Sequence, residues 1–199
     1  MTTLLLLSGS QRRDSLNTRL LRHLGQHFAG RCVVDLIESH QIDLPLFDQD
    51  METIPAVIDR VVDLHRRFKA SHGIVVACPE YNGQVTPYLK NIIDWVSRLA
   101  NVDNHFDNAF YERPLLLCSA STGWSGGALA VSNARALFSY VGCLVLGDVI
   151  CIPYADQALT ENGYLFDPFM DAQIEVSAGR VLKLAQKLAD ARSFQHKAG

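Results

Sequence analysis

The chain has 199 residues, enough for one domain with a sizeable core, and its 48% hydrophobic and 20% charged residues are ordinary for a soluble globular protein. A net charge of −3 leaves no basic footprint for nucleic acid or an anionic membrane. It is also too mild for a carrier that docks by charge, so small-molecule chemistry is favoured. The five cysteines show no C-x-x-C and read as reduced core residues. Leu4–Leu7 is the only apolar block near the N-terminus, too short for a signal peptide or a membrane span, and the expected location is the cytoplasm.

Thr2–Leu7 reads as a buried strand, followed by the hydroxyl-rich run Ser8-Gly9-Ser10-Gln11-Arg12-Arg13-Asp14-Ser15-Leu16-Asn17. Leu16, Leu20, Leu21, Leu24 and Phe28 then share one helical face. A strand thus feeds a polar loop that opens a helix, and the free N–H groups and positive end of that helix favour an anion. Ser8, Ser10, Ser15 and Asn17 can donate to a phosphate and Arg12 adds a fixed charge, whereas capping alone needs one such residue. The loop has neither G-x-G-x-x-G nor G-x-x-x-x-G-K-[ST], which leaves a dinucleotide fingerprint and a triphosphatase unsupported. His23 and His27 have metal-ligand spacing, but no third ligand is apparent and no metal is expected.

Cys32–Ile37 is the second strand. Pro55 opens a helix to about Lys69 with Ile58, Val61, Val62 and His65 inward. Asp48, Asp50 and Glu52 before it read as a solvated approach that complements the helix dipole. Ile74–Cys78 is a strand buried on both faces, closed by Pro79. Glu80, Tyr81, Asn82 and Gly83 form a polar turn, and from Tyr88 the period is helical through Leu89, Ile92, Ile93 and Val96. That helix, with Trp95, carries more apolar surface than one core face needs, which predicts a homodimer or homotetramer. Residues 101–113 are expected to rim a pocket or meet a neighbouring subunit.

Leu115–Ala120 is the fourth strand, then Ser121-Thr122-Gly123-Trp124-Ser125-Gly126-Gly127 and a helix over Ala128–Tyr140. The glycine pair permits close backbone approach. Gly123 to Gly127 also fits G-x-S-x-G, the serine-hydrolase elbow. The only histidine after Ser125 is His196, in a tail expected to fray, and the strand ends several residues too early. Cys143–Ile152 is the fifth strand, Glu161-Asn162-Gly163-Tyr164 a tight turn, and Phe169 to about Arg192 a final helix.

The motifs PEYN plus LKNIIDWVSR, SGSxRxxSxN and the Gly126-Gly127 loop together resemble the NAD(P)H-dependent FMN reductase family, flavodoxin-like proteins that include quinone, azo-dye and chromate reductases. The alternation of strands and helices gives an α/β fold with right-handed crossovers. The resemblance implies a three-layer flavodoxin-like domain over residues 1–199, with a five-stranded parallel sheet in the order 2-1-3-4-5. That order brings the loops after strands one, three and four to one rim. It further implies FMN, with its phosphate at Ser8, Ser10, Arg12, Ser15, Leu16 and Asn17. The ring would lie between Pro79, Glu80, Tyr81, Asn82 and Gly83 on one side and Ser121, Thr122, Gly123, Gly126 and Gly127 on the other. NADPH or NADH would reduce it, and a small acceptor would be reduced at the same open face with ping-pong kinetics. The cofactor carries that chemistry, so no side chain is named as a general acid or base. The chain departs from the pattern common in that family in having Gln84 and Thr86-Pro87 between PEYN and LKN. A flavodoxin-like electron carrier and a hydrolase using Ser125 remain as alternatives.

Overall fold

The computed structural model describes residues 1–160 and 167–197, with 193–197 as backbone only. The elements in chain order are β1 (Thr3–Ser8), α1 (Leu16–Phe28), β2 (Val33–Ile37), α2 (Pro55–Ala70), β3 (Gly73–Ala77), β4 (Glu80–Tyr81), β5 (Gln84–Val85), α3 (Pro87–Val102), β6 (Pro114–Ala120), α4 (Ala128–Tyr140), β7 (Leu144–Ile152), α5 (Ala155–Ala158) and α6 (Pro168–Lys197). Short 3-10 turns at Ser39–Gln41 and Gln49–Thr53 precede α2. The main sheet is parallel throughout, in the order β2-β1-β3-β6-β7. Counting only its own strands, this is the 2-1-3-4-5 flavodoxin-like arrangement. The tight turn read at 161–164 lies outside the described residues.

The unbroken apolar runs follow from burial on both faces. Leu4 and Leu6 join Val75, Ala77, Leu116 and Cys118 against α1 and α6. Leu5 and Leu7 join Ile74, Val76, Leu115 and Leu117 against α2, α3 and α4. Alternate residues of one strand thus supply two cores, the period-2 consequence of the pleat.

Three expectations change on contact with the structure. Trp95 is not surplus: it is 1% exposed, its Nε1 donates to the Pro45 carbonyl at 2.8 Å, and Phe47 packs edge-on against its ring. The Pro45–Phe47 segment, held also by Asn91, covers the extra apolar face within the same chain. This removes the ground on which self-association was expected. Residues 101–113 do rim a cavity, through Asp107, Asn108, Tyr111, Glu112 and Arg113, but at the end of the sheet where the chain enters β6, and part of the segment is core. Ala109 and Phe110 are fully buried in the main core, and Phe106 packs on His65. Finally, Glu52 is not solvated but holds Arg98 through two bonds of 2.8 and 3.1 Å.

Candidate functional site

The loop between β1 and α1 is built by its own hydroxyls. Ser15 is the N-cap of α1, its Oγ accepting from the Thr18 N–H at 3.3 Å. The Ser8 Oγ accepts from Ser10 N and from the Thr18 hydroxyl, and the Ser10 Oγ accepts from Arg12 N. The N–H groups of Leu16 and Asn17 stand in the first helical turn, where no intrahelical acceptor exists. That turn contains no acidic residue. Arg12 is exposed at its edge. The six phosphate-side residues therefore divide. Ser10, Arg12, Ser15 and Leu16 line a cavity, the two serines nearly buried, whereas the Ser8 side chain is enclosed in the loop's own fold. Asn17 does something the sequence did not reveal: its amide donates to Ala120 O at 2.8 Å and accepts from Ala120 N at 3.1 Å. It clamps the end of β6 to the start of α1, and its backbone N–H and the second hydrogen of its amide are left for a ligand.

After β3 the polar turn is more ordered than expected. Asn82 (φ 53°) and Gly83 (φ 73°) form the two-residue tip of the β4–β5 hairpin, the Asn-Gly chemistry of a type I′ turn. The tip points to α4, where Asn133 donates to Gly83 O at 2.8 Å. Glu80 is a helix cap: one carboxylate oxygen accepts from the N–H groups of both Leu129 and Ala130 at 3.1 Å. Two residues outside the sequence expectation position this turn. Thr86 caps α3 by accepting from Leu89 N and donates to Gly9 O at 2.6 Å. Gly9 lets the two loops meet, since a Cβ there would lie 3.0 Å from the Pro79 ring.

In the third loop the glycine pair is required by the protein itself. A Cβ on Gly127 (φ +87°) would sit 2.0 Å from the Ser119 Oγ, and one on Gly126 (φ +62°) 2.9 Å from the backbone of Ile152. The closeness serves packing against the ends of β6 and β7. Ser121 and its neighbour Thr122 face the first loop, while Gly123 turns back so that its N–H donates to the Ser121 Oγ. Ser125 lies well past the end of β6 and accepts from Gly127 N within its own turn, so it is no strand-end nucleophile.

These three loops, far apart in sequence, meet in one place. A cavity of about 150 Å³ is lined by Ser10, Arg12, Ser15, Leu16, Asn17, Pro79, Glu80, Tyr81, Ala120, Ser121 and Thr122. A second of about 360 Å³ shares Arg12 and Tyr81 with it and extends along Gln11, Thr86 and Tyr88. Asn82, Gly83, Gly123, Gly126 and Gly127 shape the rim without lining either space. Among the described residues the only acid lining them is Glu80, whose carboxylate is already engaged, so the donor-rich end suits a phosphate. The half-exposed Tyr81 ring offers a flat apolar wall. The nearby thiols are not nucleophiles: burial pushes Cys78, Cys118 and Cys151 up.

The structure also supplies a third side chain at the histidine pair. Asp171 of α6 lies 2.6 Å from His23 Nε2 and 3.1 Å from His27 Nε2. The His23 Nδ1 is buried without a partner, so a metal on Nε2 would strand an N–H there. The trio is better explained as a hydrogen-bonded tie between α1 and α6.

A family model described as NADPH-dependent FMN reductase matches residues 2–157. A quinone reductase of Escherichia coli (strain K12) is 31% identical over 143 residues, covering 70% of this chain and 71% of its own length. The NADH:(hydroxy)cinnamate reductase subunit CrdA of Vibrio ruber is 24% identical over 86% of this chain and 81% of its own length. Among solved structures, FerB, a flavoenzyme NAD(P)H:(acceptor) oxidoreductase from Paracoccus denitrificans, superposes with a TM-score of 0.80 at 25% identity, covering 94% of this chain and 98% of its own. The FMN-dependent NADH-azoreductase of Bacillus anthracis, solved with FMN, shares the fold at a TM-score of 0.57 and 15% identity, over 95% of this chain and 100% of its own.

Proposed function

The chain belongs to the NADPH-dependent FMN reductase family and is an FMN-dependent oxidoreductase; on that premise we propose that it passes electrons from NADPH or NADH, through FMN held between its three rim loops, to a small acceptor such as a quinone. The observation that carries this reading is the shared cavity, in which Arg12, Tyr81 and Ser121 converge from three separate strand ends. Ser10, Arg12, Ser15 and the first-turn N–H groups of α1 hold the terminal phosphate. Pro79 to Tyr81 and Ser121–Thr122 receive the ring. When bound, FMN supplies the acceptance and release of the electron pair. The chain's own part is to position and to limit water: Tyr81 walls the ring site, Glu80 fixes the hairpin to α4, and Asn17 fixes the phosphate loop to β6. No side chain in the cavity needs to act as an acid or base.

The organic acceptor class is supported by the quinone, cinnamate and azo-dye chemistry in the names of relatives. A benzoquinone, an azo dye and a metal oxyanion, compared by kcat/KM, separate the possibilities. The protein incubated with FMN and desalted should be yellow, bleach on anaerobic addition of NADPH or NADH, and recolour with benzoquinone over many turnovers. Retention of colour with negligible nicotinamide oxidation would instead mark a carrier.

The whole of residues 1–199 is read as one unit, because Ile174, Ala178, Val181, Leu182 and Ala185 of α6 complete the core beneath β1, β3 and β6. No helix among the described residues is long and apolar enough to cross a membrane, and the five free thiols suit the reducing cytoplasm. Self-association rests on a new ground: Trp124, Leu129 and Tyr154 are exposed beside the ring loops. Light scattering that gave a monomer at micromolar concentration would count against it.

A further inference from the structure

The rim opposite the FMN loops, where the chain enters the strands, holds a cation with no counter-ion among the described residues. Arg113, just before β6, is 8% exposed. Its Nη2 donates to Lys69 O at 3.0 Å, at the C-terminal turn of α2, and its enclosed Nε has no partner. A guanidinium has five N–H donors. Capping α2 accounts for one of them. Among the described residues no carboxylate comes within ion-pair distance of Arg113. The two acids nearby are engaged with other cations: Asp107 with Lys69 at 3.1 Å and Glu112 with Arg192 at 3.9 Å. A buried charge left without a partner is strongly unfavourable.

Arg113, Arg192 and Lys69 all line one cavity of about 390 Å³, together with Asp107 and Glu112. The two carboxylates are matched by Lys69 and Arg192, so the Arg113 charge is the excess. Burial and then the Arg192 guanidinium depress the pKa of Arg113. His72 is depressed by burial and then by Arg113, the N-terminal amine and Arg192. Three cationic side chains against two carboxylates therefore surround a space large enough for a ligand, and both guanidiniums line it. Paired guanidiniums suit tetrahedral oxyanions, which they can grip through two parallel bonds each.

We propose that Arg113, Arg192 and Lys69 form a binding site for a phosphate-type dianion, either inorganic phosphate or the phosphate group of a small metabolite, at the pole of the sheet opposite the FMN cavity. The cavity exceeds the size of one phosphate, which leaves room for an attached organic group. The site does not depend on the FMN reading, since it shares no residue with that cavity.

The test is thermal unfolding of FMN-saturated protein, so that the rim loop cannot itself take up phosphate, titrated with phosphate at constant ionic strength. Wild-type Tm should climb with the logarithm of phosphate concentration, as linkage requires. Arg12→Ala should keep that climb. Arg113→Met should lose it, and Arg192→Gln, a half-exposed position safe for folding, should need about tenfold more phosphate for the same shift, the loss of one charge-assisted contact. Parallel titration with glycerol 3-phosphate distinguishes the sources: a larger shift than with phosphate identifies a metabolite site, an equal or smaller one a site for free phosphate. A Tm that does not respond beyond a sodium chloride control, or an Arg192→Gln response equal to wild type, would overturn the proposal.

Discussion

Replacing Asn17 with alanine separates two roles that this residue can have at the rim. The structure gives its side chain a clamping role, with two bonds to the backbone of Ala120, and both residues are at least 95% buried (5% and 4% exposed). Asn17→Ala leaves the N–H and C=O of Ala120 unpartnered in a closed space. At about 1–3 kcal/mol for each orphaned group the sum is about 2–6 kcal/mol. Water admitted where the amide stood recovers part of this, so about 2–4 kcal/mol is expected. For a chain of this size that corresponds to a Tm lower by roughly 5–15 °C. Urea unfolding of the apoprotein measures the loss directly. FMN affinity, followed by quenching of flavin fluorescence, should fall only modestly, because the backbone N–H of residue 17 remains in place. Unchanged stability together with FMN binding weakened by more than about tenfold would refute the clamp. It would return the side chain to the role of phosphate donor that its sequence context suggests.

Gly127→Ala should be severely destabilising, by about 3 kcal/mol or more, since it combines a left-handed φ with a Cβ 2.0 Å from the Ser119 Oγ. Ser119→Gly on that background should restore part of the loss in urea melts, and no recovery would place the strain elsewhere. Glu80→Ala should lower stability by about 1 kcal/mol through loss of the α4 cap and slow turnover by loosening the hairpin. Glu80→Gln, which keeps an acceptor, should do less of both, and equal effects of the two variants would argue for a role of the charge itself. For pH, burial depresses the pKa of His65 below its usual 6.5. The unfolded chain then binds the proton first, so this contribution is fully present above about pH 6.5 and is lost as pH falls toward the lower folded value. His65→Gln should therefore flatten the acid side of the Tm–pH profile, and an unchanged slope would contradict the assignment.

What was legible in the sequence was whatever leaves a local pattern. The strands announced themselves because each is buried on both faces, and the rim loops because hydroxyls, Asn-Gly and paired glycines sit at strand ends. The parallel order followed from the alternation of elements. What stayed hidden were bonds between a side chain and a distant backbone. Asn17 to Ala120, Glu80 to the start of α4, Thr86 to Gly9 and Trp95 to Pro45 join residues far apart in the chain, with nothing local to mark the partner. Asn17 and Glu80 line the rim cavity, but their side chains also hold distant backbone groups that no local pattern marks. Trp95 looked like an interface residue because the segment that covers it has no regular structure. The hairpin was read as a plain turn because each of its strands has only two residues.

The central claim, that one cavity gathers the three loops to hold FMN, is tested most directly by titrating the apoprotein with FMN and comparing Arg12→Ala, Tyr81→Ala and Ser121→Ala with wild type. The account predicts one FMN per chain for wild type and weaker binding in all three variants. The largest loss, about tenfold or more, is expected at Arg12, whose charge-assisted contact lies at the phosphate. Binding indifferent to all three substitutions, or no FMN binding by a correctly folded wild-type chain, would contradict it.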